Sequence, residues 1–302
     1  MLLKARSESD ELLAWRCLNT RMELAGKDKG YYLNLEKGYE GERYFDQLAV
    51  DIEEERYIIN DLLLEVNNSH FQIDSLIISQ GVIYLLDIKN YRGDCYLESD
   101  KLYAMNSGRE FKNPIDQLKR SGTLFRQLLQ NLKLNFLVET FVIFIHPEFT
   151  LYQAPMNQPM ILPTQLYRFF CDLNNTPSKL NDEHKKLAQT LLSLHQVKNP
   201  FTSLPNYEYE GLQKGIYCRF CRSFFVTLVH HNYICRHCKD HEEVEQAILR
   251  NVKEFRLLFP DRKITTQSIS EWCKTDLNKR TICRILKKNL KAFGKNRGTY
   301  YQ

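Results

Sequence analysis

The sequence contains no apolar run that approaches the roughly 20 residues a helix needs to cross a bilayer. Its first residues also lack the apolar core and small-residue cleavage site of a secretory leader, because charged residues follow closely on Met1. These absences predict a cytoplasmic protein with no membrane partner. The hydrophobic content of 43% can fill a core, and a length of 302 residues predicts two or more domains.

The cysteine pattern of a disulfide framework is also lacking. The nine cysteines are odd in number, and four of them lie in two Cys-x-x-Cys pairs. This usage favours a reducing compartment and metal binding over disulfide formation.

Positive charge is concentrated at the end of the chain, although the net charge of the whole is only +5. Residues 243–302 contain 14 Lys and Arg against 6 Asp and Glu, a net charge of +8, which leaves −3 for residues 1–242. A basic tail beside a slightly acidic body suggests that the tail binds a polyanion. The alternative is a lysine-rich helix that only improves solubility.

Residues 70–93 have the pattern of an antiparallel β-hairpin. Two apolar runs rich in β-branched residues, 73–79 and 82–88, flank a break at Gln80-Gly81. Such runs on either side of a glycine turn are typical of neighbouring strands in a buried sheet.

The centre of this loop sets the register of the hairpin. A loop centred between positions 80 and 81 places Asp74 opposite Asp87, and Gln72 opposite Lys89. Two carboxylates that face each other across an antiparallel pair, with Cβ atoms about 5 Å apart, repel each other. A divalent cation would turn that repulsion into a binding site, and Lys89 projects from the same face as Asp87. The hairpin therefore predicts a metal site.

Four short motifs occur in a fixed order around the hairpin, and they are Gly41-Glu42, Gln72-Ile73-Asp74, Asp87-Ile88-Lys89-Asn90 with Gly93, and Pro114-Ile115-x-Gln117. Together they resemble the motifs of the nuclease-related domain (NERD) family, within the PD-(D/E)xK restriction-endonuclease-like superfamily. The resemblance covers about residues 36–150. One position departs from the family pattern, because the usual Glu of Glu-x-Lys is Asp87 here, which carries the same ligand group on a shorter side chain.

The resemblance implies a restriction-endonuclease-like α/β core with the element order αβββαβ and a mixed sheet. The sequence fits this order with a helix, a strand, the two strands of the hairpin, a helix begun by Asn113-Pro114 and a last strand, at about 39–49, 57–66, 73–88, 114–132 and 141–145, and an additional shorter strand is expected near 95–103. Periodicity by itself indicates only an α/β domain with a mixed sheet.

The resemblance also implies hydrolysis of phosphodiester bonds with a divalent cation. Asp74 and Asp87, together with the backbone carbonyl of Ile88, would hold Mg²⁺ or Mn²⁺, since hard cations prefer oxygen ligands and keep waters that can attack. Glu42, on the preceding helix, resembles the family's helical acid and would bind a second metal ion or its water shell.

Two further side chains complete the candidate catalytic set. Lys89 would orient or deprotonate the attacking water, or neutralise charge on the phosphate. Gln117 matches the family's glutamine and would contact the phosphate or the water. Taken singly, Lys89, Gln117 and Glu42 are better explained as ordinary surface residues, so the pairing of Asp74 with Asp87 carries the hypothesis.

The segments that flank the core are helical in pattern. Residues 8–25 have helical character, with Gly26 as a stop, and are expected to pack on the nuclease core or to bind a partner. After the core, a proline-rich stretch contains helical patterns near 166–173 and 182–196. We interpret residues 151–213 as a helical extension and connector.

A second set of residues has metal-ligand spacing. Two Cys-x-x-Cys knuckles are separated by thirteen residues, and their cysteines are Cys218, Cys221, Cys235 and Cys238. This arrangement of soft ligands predicts a structural zinc ribbon over residues 214–242, and four thiolates leave no open position for catalysis. One of the nearby histidines could replace a cysteine. Three adjacent arginines, Arg219, Arg222 and Arg236, could contact phosphates.

The basic tail, residues 243–302, has a helical pattern. After a helix at 244–258, Ser268-x-x-Glu271 has the form of a capping box that opens a short helix. A second helix, 279–290, follows a turn. Short helix, turn and basic helix resemble a helix-turn-helix, whose second helix would enter a major groove.

The end of the tail could add a wing to this unit. Residues 294–298 and the tyrosines after them fit a short hairpin, which predicts a winged-helix-like domain. The residues expected to contact nucleic acid are Lys279, Arg280, Arg284, Lys287, Lys288 and Arg297. The alternative is a small helical bundle that only closes the ribbon.

The sequence therefore predicts a chain of five parts. They are an N-terminal helical segment, a nuclease-related domain, a helical connector, a zinc ribbon and a basic helix-turn-helix-like domain, at 1–35, 36–150, 151–213, 214–242 and 243–302. The predicted function is that of a metal-dependent deoxyribonuclease in DNA processing, repair or defence. The alternatives are a catalytically inactive DNA-binding scaffold or regulator, and an RNA-processing nuclease.

Overall fold

The structure, a computed structural model, describes residues 1–197 and 199–302, and the side chain of Arg297 lies outside the described residues. The contact of Arg297 with nucleic acid therefore stays a prediction. The chain divides into two compact units, with Met1–Glu8 and Leu33–Thr202 in the first and Ser9–Tyr32 and Ser203–Gln302 in the second. Each unit has its own buried apolar core.

The helices occur in both units. In chain order they are α1 (Asp10–Arg21), α2 (Gly26–Leu48), α3 (Pro114–Asn131), α4 (Leu166–Asn175), α5 (Asp182–Leu194), α6 (Val244–Leu258), α7 (Thr266–Cys273) and α8 (Lys279–Asn289). Short 3₁₀ turns lie at Ala49–Asp51, Pro163–Gln165 and Asn296–Gly298. Within the described ranges, no helix has the length and apolar character needed to cross a bilayer.

The strands are mostly short. In chain order they are β1 (Leu2–Lys4), β2 (Tyr57–Val66), β3 (Ser69–Ile78), β4 (Val82–Lys89), β5 (Gly93–Glu98), β6 (Lys101–Ala104), β7 (Glu110–Phe111), β8 (Leu137–Phe144), β9 (Phe149–Tyr152), β10 (Met160–Ile161), β11 (Val226–Val229), β12 (Asn232–Cys235), β13 (His241–Glu243), β14 (Ala292–Phe293) and β15 (Tyr300–Tyr301).

The first unit is built on a six-stranded mixed sheet with the order β1-β2-β3-β4-β8-β10. The three central neighbours β2, β3 and β4 are antiparallel, whereas β4 pairs with β8 in parallel. Helix α3 lies between β4 and β8 in the chain, as a parallel connection requires. The predicted α/β class with a mixed sheet is confirmed.

Both faces of this sheet are covered, which explains why its strands are almost continuously apolar. One face packs its side chains, including Ile73 and Leu85, with Leu118 and Phe125 of α3. The other face packs Ile77 and its neighbours with Phe45 of α2 and with α4. Helix α3 begins as predicted, because the Asn113 side chain accepts a hydrogen bond of 3.0 Å from the Ile115 N–H and Pro114 is its first residue.

Helix α2 is much longer than the sequence suggests. It begins at Gly26 rather than near residue 39, and only Gly41 and Phe45 of its residues are buried. The helix has too few apolar residues in its first half to give a periodic stripe. Gly26, with a φ of +53°, is the first residue of α2. Helix α1 ends earlier, at Arg21, so the expectation that it ends at Gly26 is wrong.

The single short strand expected near residues 95–103 is in fact two strands. β5 and β6 form a hairpin inside a four-stranded sheet with the order β7-β6-β5-β9. The turn uses Ser99 and Asp100, with φ values of +49° and +62°. A two-residue turn with both residues left-handed matches the twist of a hairpin, and Ser-Asp is a weak sequence signal for it.

The second unit combines α1, a three-stranded sheet β11-β12-β13, and helices α6, α7 and α8. Ala14 and Leu18 of α1 lie in one apolar cluster with Ala247 and Ile248 of α6. Helix α1 therefore packs within this unit, and the expectation that it packs on the nuclease core is wrong. A Leu and Trp stripe indicates a buried face but carries no information on its partner.

The capping box of α7 lies three residues earlier than the sequence suggests. Thr265 is the N-cap, because its hydroxyl accepts a bond of 3.0 Å from the Ser268 N–H while the Ser268 hydroxyl accepts one of 2.9 Å from the Thr265 N–H. The predicted Ser268–Glu271 box is therefore wrong. At the end of the chain, β14 and β15 pair antiparallel where a short hairpin was expected.

Candidate active site and metal centres

The β3–β4 hairpin has the predicted register. Ser75 pairs with Leu86 and Ile78 with Ile83, and the Ser79 N–H donates to the Val82 carbonyl at 3.0 Å to close the turn. The loop is therefore centred between positions 80 and 81, as predicted.

The β3–β4 ladder ends one pair before the two aspartates. Asp74 Oδ2 accepts a hydrogen bond of 2.8 Å from the Ile88 N–H, so a carboxylate takes the place that a backbone carbonyl would have if the strands continued. The expected pairing of Gln72 with Lys89 is wrong, because the strands have separated there. Gln72 pairs instead with Leu63 of β2. We call the point of separation the strand fork.

Three of the predicted site residues meet at the Asp87 carboxylate. Its Oδ1 accepts hydrogen bonds from Lys89 Nζ at 2.9 Å and from Gln117 Nε2 at 3.2 Å. Lys89 Nζ lies 2.9 Å from Oδ2 as well, but no group in the described ranges donates a well-aligned hydrogen bond to this buried oxygen. Asp87 is 6% exposed, so its carboxylate depends on these protein contacts rather than on solvent.

The electrostatics of this cluster balance burial against local charge. Burial is the largest cause that raises the pKa of Asp87, to about 7, and the charge of Asp74 raises it further while Lys89 opposes the shift. Burial lowers the pKa of Lys89, but the Asp87 and Asp74 charges outweigh it and the net pKa is raised. The raised pKa of Asp87 favours its neutral form, whereas the raised pKa of Lys89 favours its charged form. The 2.9 Å contact between the two side chains favours the ion pair, with Lys89 as an ammonium.

Glu42 is placed by the glycine before it. A Cβ atom added to Gly41 would lie 2.5 Å from the Asn90 Cβ and 3.1 Å from Ile145 Cγ2, so α2 can approach the end of β4 only with glycine here. Burial raises the pKa of Glu42 to about 8, with Asp74 adding to the shift and Arg6 opposing it. Sequence reasoning placed Glu42 correctly on a helix beside the fork.

Arg6 is a site residue that the sequence analysis missed. Its side chain is 3% exposed and donates to Glu42 Oε2 at 2.8 Å, to both carboxylate oxygens of Asp46 at 3.0 and 3.1 Å, and to the Asp74 backbone carbonyl at 2.8 Å. The guanidinium therefore ties the helical acid to the strand fork. A single arginine far from the motifs gives no local signal, so only the fold reveals this contact.

A buried polar chain supports the same region. The Asn60 amide donates to Asp46 Oδ1 at 3.1 Å, and the Ser75 hydroxyl donates to Asn60 Oδ1 at 2.8 Å. Asn60 and Ser75 are buried, and Ser75 is the residue directly after Asp74. These bonds fix β3 beside α2 and so hold Asp74 in position.

The carboxylate cluster has the chemistry of a hard-cation site. Its carboxylates, Asp74 and Asp87, offer oxygen ligands only, and oxygen is the ligand atom that hard cations prefer. Glu42 does not join Asp74 and Asp87 in a compact group of three, because Arg6 holds it; among the described residues, the one group of three or more His, Cys, Asp or Glu within 4.8 Å consists of cysteines.

The four predicted cysteines do converge. The ligand atoms of Cys218, Cys221, Cys235 and Cys238 all lie within 4.8 Å of one another, and no histidine of the described chain belongs to the group. The Cys238 N–H is the largest cause that lowers the pKa of Cys235, to about 6, and burial opposes it. Four sulfur ligands, with backbone N–H groups that favour the thiolate, are compatible with zinc.

The predicted nucleic-acid residues of α8 lie on its exposed face, opposite Ile282, Ile285 and Leu286, which are buried. Arg280, Arg284 and Lys287 are exposed there. Two others have internal partners. Lys288 Nζ lies 2.9 Å from Glu245 Oε2, which offsets its charge, whereas Lys279 Nζ donates to the neutral amide oxygen Gln267 Oε1 at 2.6 Å and keeps its charge.

The class of domain follows from these observations: a mixed α/β sheet that carries two aspartates, a lysine and a glutamine at one fork has the features of a nuclease-like domain. Residues 37–145 match the family model described as the nuclease-related domain, NERD, which confirms the resemblance for this part of the chain. No curated protein and no solved structure matches the chain. The match includes Glu42, Asp87 and Gln117, whereas Arg6 and the four cysteines lie outside it.

Proposed function

We propose that the chain is a metal-dependent nuclease that hydrolyses phosphodiester bonds of DNA. One observation carries the proposal: the buried carboxylate of Asp87 lies at the strand fork with Lys89 Nζ 2.9 Å from both of its oxygens and Gln117 Nε2 3.2 Å from Oδ1, while the Ile88 N–H holds Asp74 beside it. Two carboxylates brought together in a buried site repel each other, and a divalent cation would relieve that repulsion.

The proposed ligands are Asp74, Asp87 and the backbone carbonyl of Ile88. A Mg²⁺ or Mn²⁺ ion bound there would polarise the phosphate and lower the pKa of a coordinated water. Asp74 is held by the Ile88 N–H at 2.8 Å, which points the carboxylate toward β4 before any ion binds. Asp87 is held in the same way by Gln117.

Lys89 is assigned to charge stabilisation. Its ammonium is within hydrogen-bond distance of Asp87, and it can turn one of its three N–H groups toward a phosphate oxygen while it keeps that contact. The alternative roles, orienting or deprotonating the attacking water, need a neutral or less tightly held amine. The neighbouring aspartates favour the charged form.

Gln117 and Glu42 are assigned supporting roles. Gln117 fixes the Asp87 carboxylate and has a second amide N–H to offer to the phosphate or the water. Glu42, held by Arg6, would bind the water shell of the ion or a second ion.

The second unit is proposed to bind zinc and nucleic acid. A structural zinc ion at the four cysteines would stabilise the ribbon. The exposed face of α8, with Arg280, Arg284 and Lys287, is the proposed contact with DNA phosphates, as in a helix-turn-helix or winged-helix domain. RNA would satisfy the same phosphate contacts.

The test is a cleavage assay on duplex DNA, single-stranded DNA and RNA with Mn²⁺ or Mg²⁺. Asp87→Asn and Lys89→Ala are expected to lower the rate by about 100-fold or more, since the first weakens a proposed ligand of the ion and the second removes the positive charge assigned to the phosphate. Asp172→Asn, an exposed aspartate of α4, is the control and should cleave normally. Undiminished cleavage by Asp87→Asn and Lys89→Ala would refute the assignment of the site.

A second candidate is a DNA-binding scaffold that does not cut. The observation that favours it is the hold of Arg6 on Glu42, which keeps the helical acid out of a compact three-carboxylate group. This candidate predicts salt-dependent DNA binding, no cleavage of any of the three substrates, and no Mn²⁺ binding at the fork. Titration of zinc-loaded protein with Mn²⁺, followed by the paramagnetic signal of the free ion, separates the two.

A further inference from the structure

The cysteine ribbon exposes two large aromatic rings. Phe220 is 78% exposed and Phe225 is 75% exposed, whereas the adjacent Phe224 is turned inward, with its ring 5.5 Å from that of Tyr217. Single exposed apolar residues are ordinary on a protein surface. Here, however, two of the three phenylalanines in one small ribbon are left in water, and each sits at a knuckle.

The backbone beneath both rings is fixed. Phe220 lies between two of the cysteines, and its N–H donates to Cys218 Sγ at 3.4 Å. The Phe225 N–H donates to the Ser223 hydroxyl oxygen at 3.1 Å, and the Phe225 carbonyl accepts from the Arg236 N–H, in the second knuckle, at 2.8 Å. An aromatic side chain on a rigid backbone loses little entropy when a ligand covers it.

The ribbon also carries excess positive charge. Residues 214–242 contain five Lys and Arg and two acidic residues, Asp240 and Glu242. Asp240 pairs with Arg219 at 3.1 Å. Glu242 pairs with Arg250 at 2.8 Å, so both acids are neutralised. Arg236 donates to a neutral partner, the Thr227 hydroxyl, at 2.6 Å and so keeps its charge. Even with the two negative charges that a zinc ion with four thiolates would add, the segment stays positive, which complements a polyanion.

Exposed rings beside uncompensated arginines fit one ligand class best. A base of a duplex shows only its edges in the grooves, whereas an unpaired base offers a face that can stack on a ring. We propose that the ribbon binds single-stranded nucleic acid, with unpaired bases stacked on Phe220 and Phe225 and phosphates contacted by Arg222 and Arg236. The proposal rests on the proposed function only in naming nucleic acid as the ligand.

The test measures binding without cleavage, so its failure is distinguishable from failure of the nuclease proposal. Full-length zinc-loaded protein carrying Asp87→Asn is titrated into labelled oligothymidylate, oligouridylate and a DNA duplex, and fluorescence anisotropy gives each Kd. Phe220→Ala and Phe225→Ala are each expected to weaken binding to the single strands by about 5- to 100-fold, with the duplex Kd changed by less than about twofold.

Matched variants separate stacking from folding and from an apolar protein contact. Phe201→Ala, with 65% exposure in the first unit, is the control and should leave every Kd unchanged. Phe220→Leu keeps an apolar side chain without a stacking face, so it should lose single-strand binding as the alanine variant does. If Phe220→Leu keeps the parent's Kd for single strands, stacking does not contribute to binding. That result would overturn the proposal and favour an apolar contact, such as one with a protein partner.

A tryptophan at the same position gives a direct readout. Both natural tryptophans, Trp15 and Trp272, are buried, so Phe220→Trp would place one exposed indole on the ribbon. It should retain single-strand binding, and oligothymidylate should quench its fluorescence. Unquenched fluorescence at saturation, or equal loss of single-strand and duplex binding in the alanine variants with zinc content intact, would overturn the proposal.

Discussion

The two proposed metal sites, the carboxylates of the first unit and the cysteines of the second, differ in how their ligand groups are held. At the ribbon, four like groups meet within 4.8 Å. A backbone N–H lowers the pKa of Cys235 to about 6, whereas burial and the neighbouring thiols raise the pKa of the other three. At the strand fork, burial disfavours the carboxylates, and the protein supplies its own cations, Lys89 and Arg6. The fork is therefore expected to fold without metal, and the ribbon is not.

Removal of zinc is the largest test of this difference. Metal binding contributes on the order of 10 kcal/mol to the folding of structural zinc sites. Cys221→Ser is therefore expected to lose zinc and unfold the ribbon, while Cys171→Ser, a cysteine of α4 outside the cluster, keeps both. Zinc analysis and limited proteolysis measure the result. The comparison breaks if Cys221→Ser resists proteolysis like the parent protein.

Removal of Arg6 tests whether resident cations hold the fork. Arg6→Met would leave Glu42 and Asp46 without their partner and is expected to lower the free energy of unfolding by about 2–3 kcal/mol. Arg92→Met is the matched control: its pair with Glu148 is exposed at both ends, so a loss of at most about 1 kcal/mol is expected. Urea unfolding measures both. An equal loss of unfolding free energy in the two variants would mean that the ion pairs of Arg6 stabilise the protein no more than an exposed ion pair does.

The pH dependence of the metal-free protein is the smallest test. The pKa of Asp87 is raised to about 7 in the folded state, so its contribution to stability is fully present below the ordinary value near 4 and is lost as pH rises through 7. Stability should therefore fall between about pH 4 and pH 7, by at most about 1.4 kcal/mol per pH unit from this group.

Variants at the fork identify the group that titrates. Asp87→Asn, although less stable overall because Lys89 loses its partner, should show a flatter pH profile in urea unfolding. Asp172→Asn should keep the slope of the parent protein. Mn²⁺ should oppose the fall, since it favours the ionised carboxylate. An identical slope with Asn at position 87 would assign the dependence to other groups.

The two sites also differ in how far the sequence predicts them. The four cysteines are found from spacing alone, and the hairpin register follows from its apolar runs and the Gln80-Gly81 turn. Both signals are local. Arg6 contacts residues 36 to 68 positions away in the chain, and no periodicity reports such an ion pair. Motif resemblance supplied Glu42 and Gln117, which spacing would have left on the surface.

The same contrast holds for the fold. Strand β2 and helix α6 have the bounds expected from apolar patterns that strong burial imposes. Helix α2 was underestimated because only Gly41 and Phe45 are buried, so the solvated face hides the helix. The partner of α1 could not be predicted, since an apolar stripe states that a face is covered but not by what.

The strand fork divides the work of the two aspartates unequally. The Asp74 carboxylate accepts a hydrogen bond from the backbone of β4 in place of a main-chain carbonyl. An amide side chain of the same shape could accept the same hydrogen bond without carrying the negative charge. Position 87 has no such duty to the ladder. Under the proposed assignment, a change of ion preference is therefore to be sought at Asp87 rather than at Asp74, whose carboxylate also joins β3 to β4.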